Sequence, residues 1–517
     1  MNSTIGCDYG NFYFQSMIIQ NIDPKTLRGG VPLNLCDPSS PDPNGTPSAF
    51  FYSADRNNGK PVCGYAATTM RPVSNIVRYL KRNMRGSVTL DDRTFTCAEM
   101  ITQTIQHCVR EANRQLKANT QTVSNEIGLA YPASFEARER EYLISLAEKA
   151  TLEDGTPIKV VGTITEPAAA ALDYLAEHPG AKPETCVMAY DLGAGTFDLS
   201  VVEAFPKGKE YADGTRYYYD VRWTDGLPQL GGLEFDKVIR DLIVQKIGYE
   251  PKGRQADLLM QVAEHTKRDL TGLDQVYPPF GEEDIEITIE EFNKAAAPLV
   301  MQTIRLVKDA LGAPNVPRPD VILLTGGASR MRIVRELLER EIPEYRDRIV
   351  EHRPSQAIAC GAARFATVEK DNGLHAAGEK KPQSSVQQRT TLALGIEFWD
   401  SQANEPYIDT MIEHGTPIPC TSDIMVCSTL LPNQRYVEMG VYEARKSAPD
   451  PRKTTEDYAN VMPQDYDFGH AVPDGTPVFA QMMIDKDNIL SLKVWEPSNQ
   501  EKTETIWRCS YLQWRDM

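Results

Sequence analysis

The stretch Cys186–Ala204, CVMAYDLGAGTFDLSVVEA, decides how this chain is read. An apolar run from Cys186 to Tyr190 ends on the carboxylate of Asp191. Gly193, Ala194 and Gly195 follow, then Thr196 and a second carboxylate, Asp198. Phe197, Leu199 and Val201 then alternate as one face of a strand does. The spacing predicts strand, tight turn, strand. A turn of this kind points several backbone N–H groups into one hollow, which suits phosphate oxygens. Thr196 adds a hydroxyl, and Asp191 stands where it can hold a water on a magnesium ion. GAGTFD has the look of a dinucleotide fingerprint, but that motif needs a helix after its glycines, and strand residues follow here. The Rossmann reading is therefore rejected. An ordinary glycine-turn hairpin stays open for this segment taken alone.

Composition sets the frame. A length of 517 residues suggests roughly three or four domain-sized units. The 41% hydrophobic and 25% charged content is that of a soluble globular protein. A net charge of −17 argues against a general binder of nucleic acid or anionic membrane. No apolar run reaches spanning length, and MNSTIGCDYGNFYF has no basic-then-apolar signal pattern. The ten cysteines are scattered, without Cys-x-x-Cys pairs, so a cytoplasmic protein without structural zinc is expected.

Other segments repeat or extend the theme. IGCDYG, Ile5–Gly10, again ends an apolar strand on an aspartate, Asp8, before a glycine, Gly10. Two similar halves, each offering an aspartate and a phosphate-cradling turn, would meet at a cleft. SNIVRYLKRNMRG (Ser74–Gly86) reads as a basic helix carrying Lys81 and Arg82, and Cys97–Thr120 as an amphipathic helix. Ile127–Glu141 reads as strand, proline turn and helix. Val160–Leu175 brings a strand to Glu166-Pro167 and an alanine-rich helix; Glu166 is either a water-orienting group or a helix N-terminal acid. Gly231-Gly232 opens a helix. Glu264, Lys267, Arg268 and Thr271 share one helical face, a solvated stripe or a clasp for base and ribose. Asp320–Glu339 runs from a buried strand through Gly326-Gly327 into a helix, a geometry that admits phosphate or ribose. Residues 376–388 read as a polar linker. From Arg389 onward short alternating strands argue a small β-sandwich, with Lys446–Pro477 left unassigned.

Taken together, DLGAGTFD, TEPAAAAL, TKRDL and LTGGASR, in this order and spacing, resemble the 70-kDa heat-shock chaperones of DnaK type. LALGIEF, HGTPIP, CSTLLPNQ and VYEA are similar to that family's peptide-binding β-domain. The resemblance implies an α/β fold: a two-lobed actin-like (ribonuclease H-like) ATPase domain over 1–375, then an all-β sandwich over 389–517. It implies ATP or ADP with Mg2+ as ligands. Polypeptide clients or a dedicated protein partner would bind, with a co-chaperone or nucleotide-exchange factor.

Residue by residue, the resemblance implies that Asp8 and Asp191 position hydrated magnesium. Lys81 would reach the γ-phosphate and attacking water, Glu166 and Asp198 would orient that water, and Thr196 would contact the γ-phosphate. Gly10, Asn11, Gly193, Ala194, Gly195, Gly231 and Gly232 would line the phosphates. Gly326, Gly327, Ala328 and Arg330 would lie along the sugar and base, with Glu264, Lys267 and Arg268 on the nucleoside. Pro132 and Arg140 fall on interlobe relay positions. Leu430, Val437 and Met439 fall on the peptide groove; plain sandwich core is the alternative for them.

The chain departs from the family in several places. Asn11 and Phe12 replace two adjacent hydroxyl residues of the first phosphate loop, and Phe12 offers a phosphate nothing. Ala194 replaces a turn glycine, tolerable only with negative φ. Ser355 replaces an acid near the ribose, SSVQQR replaces the apolar linker, and a variant lacking the family's helical lid is expected. Slow ATP hydrolysis is expected. Two alternatives stand beside it: a nucleotide-sensing module that does not hydrolyse, and a small-molecule kinase of the same superfamily.

Overall fold

The computed structural model describes residues 4–23, 26–40, 45–178, 184–210, 216–281, 284–375, 386–400, 402–445, 449–485, 488–497 and 505–509. They form two compact units. The first comprises Met1–Ser134, Leu146–Arg222 and Gly226–Val386, and the second Phe135–Ser145, Trp223–Asp225 and Gln387–Met517.

Two six-stranded sheets build the first unit, and both are assembled in the same way. In the first, the strand Ile5–Tyr9 lies parallel to Glu126–Tyr131 and antiparallel to Tyr13–Gln20. Asp8 therefore faces Ala130 on one side and Gln15 on the other. In the second, Thr185–Leu192 lies parallel to Val321–Thr325 and antiparallel to Phe197–Glu210, so Asp191 faces Thr325 and Asp198. Each aspartate thus sits at the carboxyl end of a strand with a parallel neighbour on one edge and a hairpin partner on the other. Both strands are wholly or almost wholly buried, which explains their near-continuous apolar composition.

The helices follow their sequence signals. Cys97–Thr120 starts on a capping box formed by Thr96 and Glu99. Glu166–Glu177 begins with proline in its first turn. Its alanines, Ala168 to Ala171, share one core with Ala357 and Ala362 of the helix Ala357–His375. Leu172, Leu175, Val187 and Leu323 belong to the same cluster, and each such fully buried aliphatic contributes about 1.5–3 kcal/mol. Small residues let these elements approach closely, which holds the amino end of the Glu166 helix against the sheets.

The segment Ser74–Gly86 is not the helix its composition predicts. It forms a 3-10 turn at Val73–Asn75, a two-residue strand at Ile76–Val77 and a second 3-10 turn at Leu80–Asn83. Ile76 and Val77 pair with Phe51 and Phe50 as β-branched residues prefer. Tyr79 then takes φ 59°, a left-handed conformation that a continuing helix forbids. The reversal turns Lys81 inward, where it is 4% exposed.

Of the expected linker, residues 376–385 lie outside the described residues. Val386–Gln387 is the edge strand of the second sheet, and Val386, the one apolar residue of SSVQQR, is buried in the first unit's core.

The second unit contains a four-stranded sheet ordered Glu405–Ile412, Leu394–Asp400, Val441–Ala444, Tyr458–Met462. A five-stranded sheet is ordered Cys420–Thr421, Pro477–Ile484, Leu490–Trp495, Thr505–Arg508, with Met425–Ser428 also on Pro477–Ile484. Ile396, Val441 and Val461 of one share a core cluster with Val478, Met482 and Leu492 of the other. Gln434–Glu438 pairs with Asp465–Val472. The stretch left unassigned in sequence therefore supplies two strands, with 446–448 outside the described residues. Met439 lies inside this core, Val437 packs partly buried against it, and Leu430 is exposed. Arg140 belongs to this unit too, donating to the Asn488 carbonyl at 2.6 Å.

Candidate functional site

Both aspartate strands end in the same turn. Gly10 N–H donates to Tyr13 O at 3.0 Å, and Gly193 N–H donates to Thr196 O at 3.0 Å. The second turn is braced from behind by the helix Gly232–Ile247. Its first N–H groups, Gly232 and Leu233, donate to the carbonyls of Gly193 and Ala194 at 2.9 and 3.0 Å. Helix N-terminal donors are thereby satisfied by the turn itself. Ala194 is not among the residues with positive φ, so the substitution of a turn glycine there is accommodated without strain. Gly195 is needed for a different reason: a side chain there would lie 2.8 Å from Asn11 Cγ and 3.3 Å from Arg82 Nε. At Gly326 the backbone has φ +78°, and an added Cβ would stand 2.5 Å from Asp191 Oδ1.

The two turns face one cavity of about 470 Å³, within the range of small-molecule sites. Asp8, Gly10 and Asn11 line it from the first sheet, and Asp191 with Gly193 to Thr196 from the second. Lys81 and Glu166 form its floor; Glu264, Lys267 and Arg268 form one flank. Gly232, Gly326, Gly327, Ala328 and Arg330 complete the wall. Asp198 and Gly231 do not line it. Asp198 sits directly beside Asp191 across the hairpin, fully buried, with Oδ1 accepting from Ser134 N–H at 2.8 Å.

Several residues to which sequence reasoning assigned no role in the site shape it. Arg82 Nε donates to Gly195 O at 2.9 Å, and its terminal nitrogens form a bidentate pair with Glu234 at 2.9 and 2.7 Å. That fork ties the second turn to the first turn of the helix Gly232–Ile247. Asp236 holds Lys267 Nζ at 2.6 Å, and Lys267 also donates to Gly232 O at 3.0 Å. No local pattern announces these partners, because 152 residues separate Arg82 from Glu234. The proximity of Arg82 to Lys81 was the available signal. Phe12, Tyr13 and Tyr79 add an aromatic edge.

The electrostatics are unusual. Lys81 Nζ donates to Glu166 Oε1 in a buried ion pair. Asp8, Asp191 and Asp198 are also buried. Burial first, then the charge of Glu166, pushes the Asp8 and Asp198 carboxyls up to about 7, against the opposing pull of Lys81 on Asp8 and of Thr196 on Asp198. Asp191 is raised well above the carboxylate range by burial, then by Glu166, Asp198 and Asp8. Asp191 Oδ1, Asp198 Oδ2, Asn11 Oδ1, Gln15 Oε1 and Thr325 Oγ1 are buried without hydrogen-bond partners. Orphaned oxygens among crowded carboxylates fit a cation that arrives with its own water. Among the described residues, no three His, Cys, Asp or Glu side chains converge closely enough to ligate a metal directly.

The family model for Hsp70 protein matches residues 63–507 of this chain. The chain belongs to the Hsp70 family. Membership covers the greater part of both units and carries the family's class, an ATP-binding chaperone of the 70-kDa heat-shock type. The mixed α/β architecture described above is consistent with the Hsp70 ATPase fold. The first aspartate turn, with Asn11 and Phe12, lies upstream of the matched span. No helix among the described residues is long and apolar enough to cross a membrane.

Proposed function

We propose that this Hsp70-family chain binds Mg·ATP in the cavity between its two aspartate turns, hydrolyses it slowly, and couples the nucleotide to polypeptide binding by its C-terminal sheets. The observation that carries the reading is the meeting of Asp8 and Asp191 at one cavity, each at the same place in its own sheet. In this reading the first unit is a two-lobed actin-like ATPase domain and the C-terminal sheets are a β-sandwich.

Asp8 and Asp191 would hold the magnesium ion through water, and the ion would neutralise charge on the phosphates. The Thr196 hydroxyl and the turn N–H groups hydrogen-bond the terminal phosphate. Lys81, paired with Glu166, lines the same cavity and stabilises charge developing on the transferred phosphoryl group. Asp198 lies behind Asp191 rather than on the cavity wall, so it would act on the attacking water only through Asp191, its neighbour across the hairpin. Glu264, Lys267 and Arg268 position the nucleoside. Positioning and electrostatics carry the reaction, with little covalent chemistry asked of the protein.

The altered first turn supports slow turnover. Phe12 cannot hydrogen-bond phosphate, and the Asn11 carboxamide packs against Gly195. The same observation favours the second reading, a nucleotide-sensing module that does not hydrolyse. Calorimetry with Mg·ATP and steady-state phosphate release separate the two. Uptake with slow release, abolished in Lys81→Ala and Asp191→Asn, supports the first; uptake without release supports the second. No uptake by the intact protein refutes both.

A further inference from the structure

Phe12 occupies an uncommon place. Its ring edges the cavity, and two guanidinium groups lie over it, Arg78 at 4.6 Å and Arg268 at 4.8 Å from the ring centroid. Tyr13 and Tyr79 meet the same ring edge-on, at 4.9 and 6.2 Å. The arginines come from opposite sides of the site. Arg78 precedes Tyr79, whose N–H donates to the Asn11 carbonyl at 3.4 Å, so it travels with the first aspartate turn. Arg268 lies in the last turn of the helix Arg254–Asp269, on which Lys267 is tied to Gly232 at the brace of the second turn. Two positive charges stacked on one phenyl ring join the two walls at the edge of the cavity.

We propose that the Arg78–Phe12–Arg268 stack is a gate that sets how fast nucleotide enters and leaves. The proposal rests on reading the cavity as a nucleotide site. A threonine or serine at position 12 would present a hydroxyl to phosphate; phenylalanine instead presents a face to cations, so the substitution exchanges phosphate recognition for closure. Arg78 does not line the cavity, and its guanidinium lies over the ring, so it acts on ligand only through Phe12. Such a contact raises the barrier to passage in both directions. The affinity depends on the bound and free end states and stays nearly untouched when Arg78 or the Phe12 ring is removed, because Arg268 keeps its own anchor, an ion pair with Glu264 at 2.8 Å.

The test is stopped-flow fluorescence with N-methylanthraniloyl-ADP and Mg2+ on the full chain, comparing the unaltered protein with Arg78→Ala and Phe12→Leu. Leucine keeps apolar bulk at position 12 but removes the aromatic face. The gate predicts that association and dissociation both accelerate by about tenfold in either variant while Kd stays within about twofold. Faster dissociation alone, with Kd rising in step, would mean that these side chains hold the ligand. Faster association alone would mean that they only block the free site. Unchanged rates would mean that the stack is ornamental to passage. Each of these three overturns the gate while leaving the nucleotide reading intact. Absence of any binding to the unaltered protein overturns the nucleotide reading and the gate with it.

Discussion

Lys81 and Glu166, 85 residues apart in the chain, form a buried ion pair on the floor of the cavity, with side chains 2% and 9% exposed. Each comes from a different local structure, a 3-10 turn and a helix N-terminus, and neither would be tolerated there alone. Removing one partner leaves an uncompensated buried charge, a loss of about 3–5 kcal/mol. Lys81→Ala is therefore expected to lower the melting temperature and to abolish phosphate release. The double variant Lys81→Met, Glu166→Gln should recover most of the stability and none of the activity. Thermal melts alongside a phosphate-release assay check both parts; recovery of turnover in the double variant would contradict the role given to the lysine.

Arg82 makes its contribution through geometry rather than through ligand contact. Its fork to Glu234 and Gly195 O holds the second turn in place. Arg82→Ala should raise the Kd for Mg·ADP about tenfold, and Arg82→Lys should rescue little, because a point charge cannot reproduce a bidentate fork. Isothermal titration of the two variants gives the comparison.

Asp8 and Asp198 make stability and ligand binding depend on pH in opposite senses. Their folded-state carboxyls, held up to about 7, bind protons more tightly than the unfolded chain does at 3.8. The contribution is fully present below about pH 4 and is lost as pH rises through about 7. Asp198→Asn should flatten that part of the melting-temperature profile of the nucleotide-free protein. Magnesium with nucleotide needs ionised carboxylates, so the stabilisation by Mg·ADP should be larger at about pH 8 than at about pH 6. A ligand-induced shift that is equal at both values would count against Asp8 and Asp191 as the magnesium-holding pair.

Gly326→Ala should be far more damaging than an ordinary glycine replacement. Its φ of +78° strains any L side chain, and the new methyl would press on Asp191 Oδ1. A stability loss of about 1–3 kcal/mol is expected, together with loss of measurable Mg·ATP uptake. Normal binding by a folded Gly326→Ala protein in calorimetry would show that the strand end yields to the added methyl.

In the C-terminal sheets, Leu430 and Leu431 are 62% and 65% exposed, whereas Met439 is buried. Client binding, if it uses this edge, should weaken about tenfold in Leu430→Ser, Leu431→Ser, as measured by anisotropy of a labelled extended apolar peptide. Met439→Ser should instead unfold the sheets, because it opens a cavity in their common core.

Much of this was legible in the chain before any coordinates. The limits of the Cys97–Thr120 helix, the strand ends at Asp8 and Asp191, and the Glu166-Pro167 helix start all follow from caps, prolines and apolar runs. These signals lie within a few residues of what they specify. The segment around Lys81 misled, because a cluster of basic residues at helical composition gives no hint that Tyr79 will take a left-handed φ and send the lysine inward.

What the sequence determined by itself, then, is a set of local elements and the carboxylates, glycines and basic residues they carry. Only the tertiary structure decided which of them meet: Arg82 with Glu234, Lys267 with Asp236, and Phe12 with Arg78 and Arg268. The reason is physical. Backbone propensity and capping act over one or two turns of chain, whereas an ion pair or a cation–π stack depends on distances set by the packing of whole sheets and helices. Residues 152 positions apart carry no mark of each other until that packing is complete.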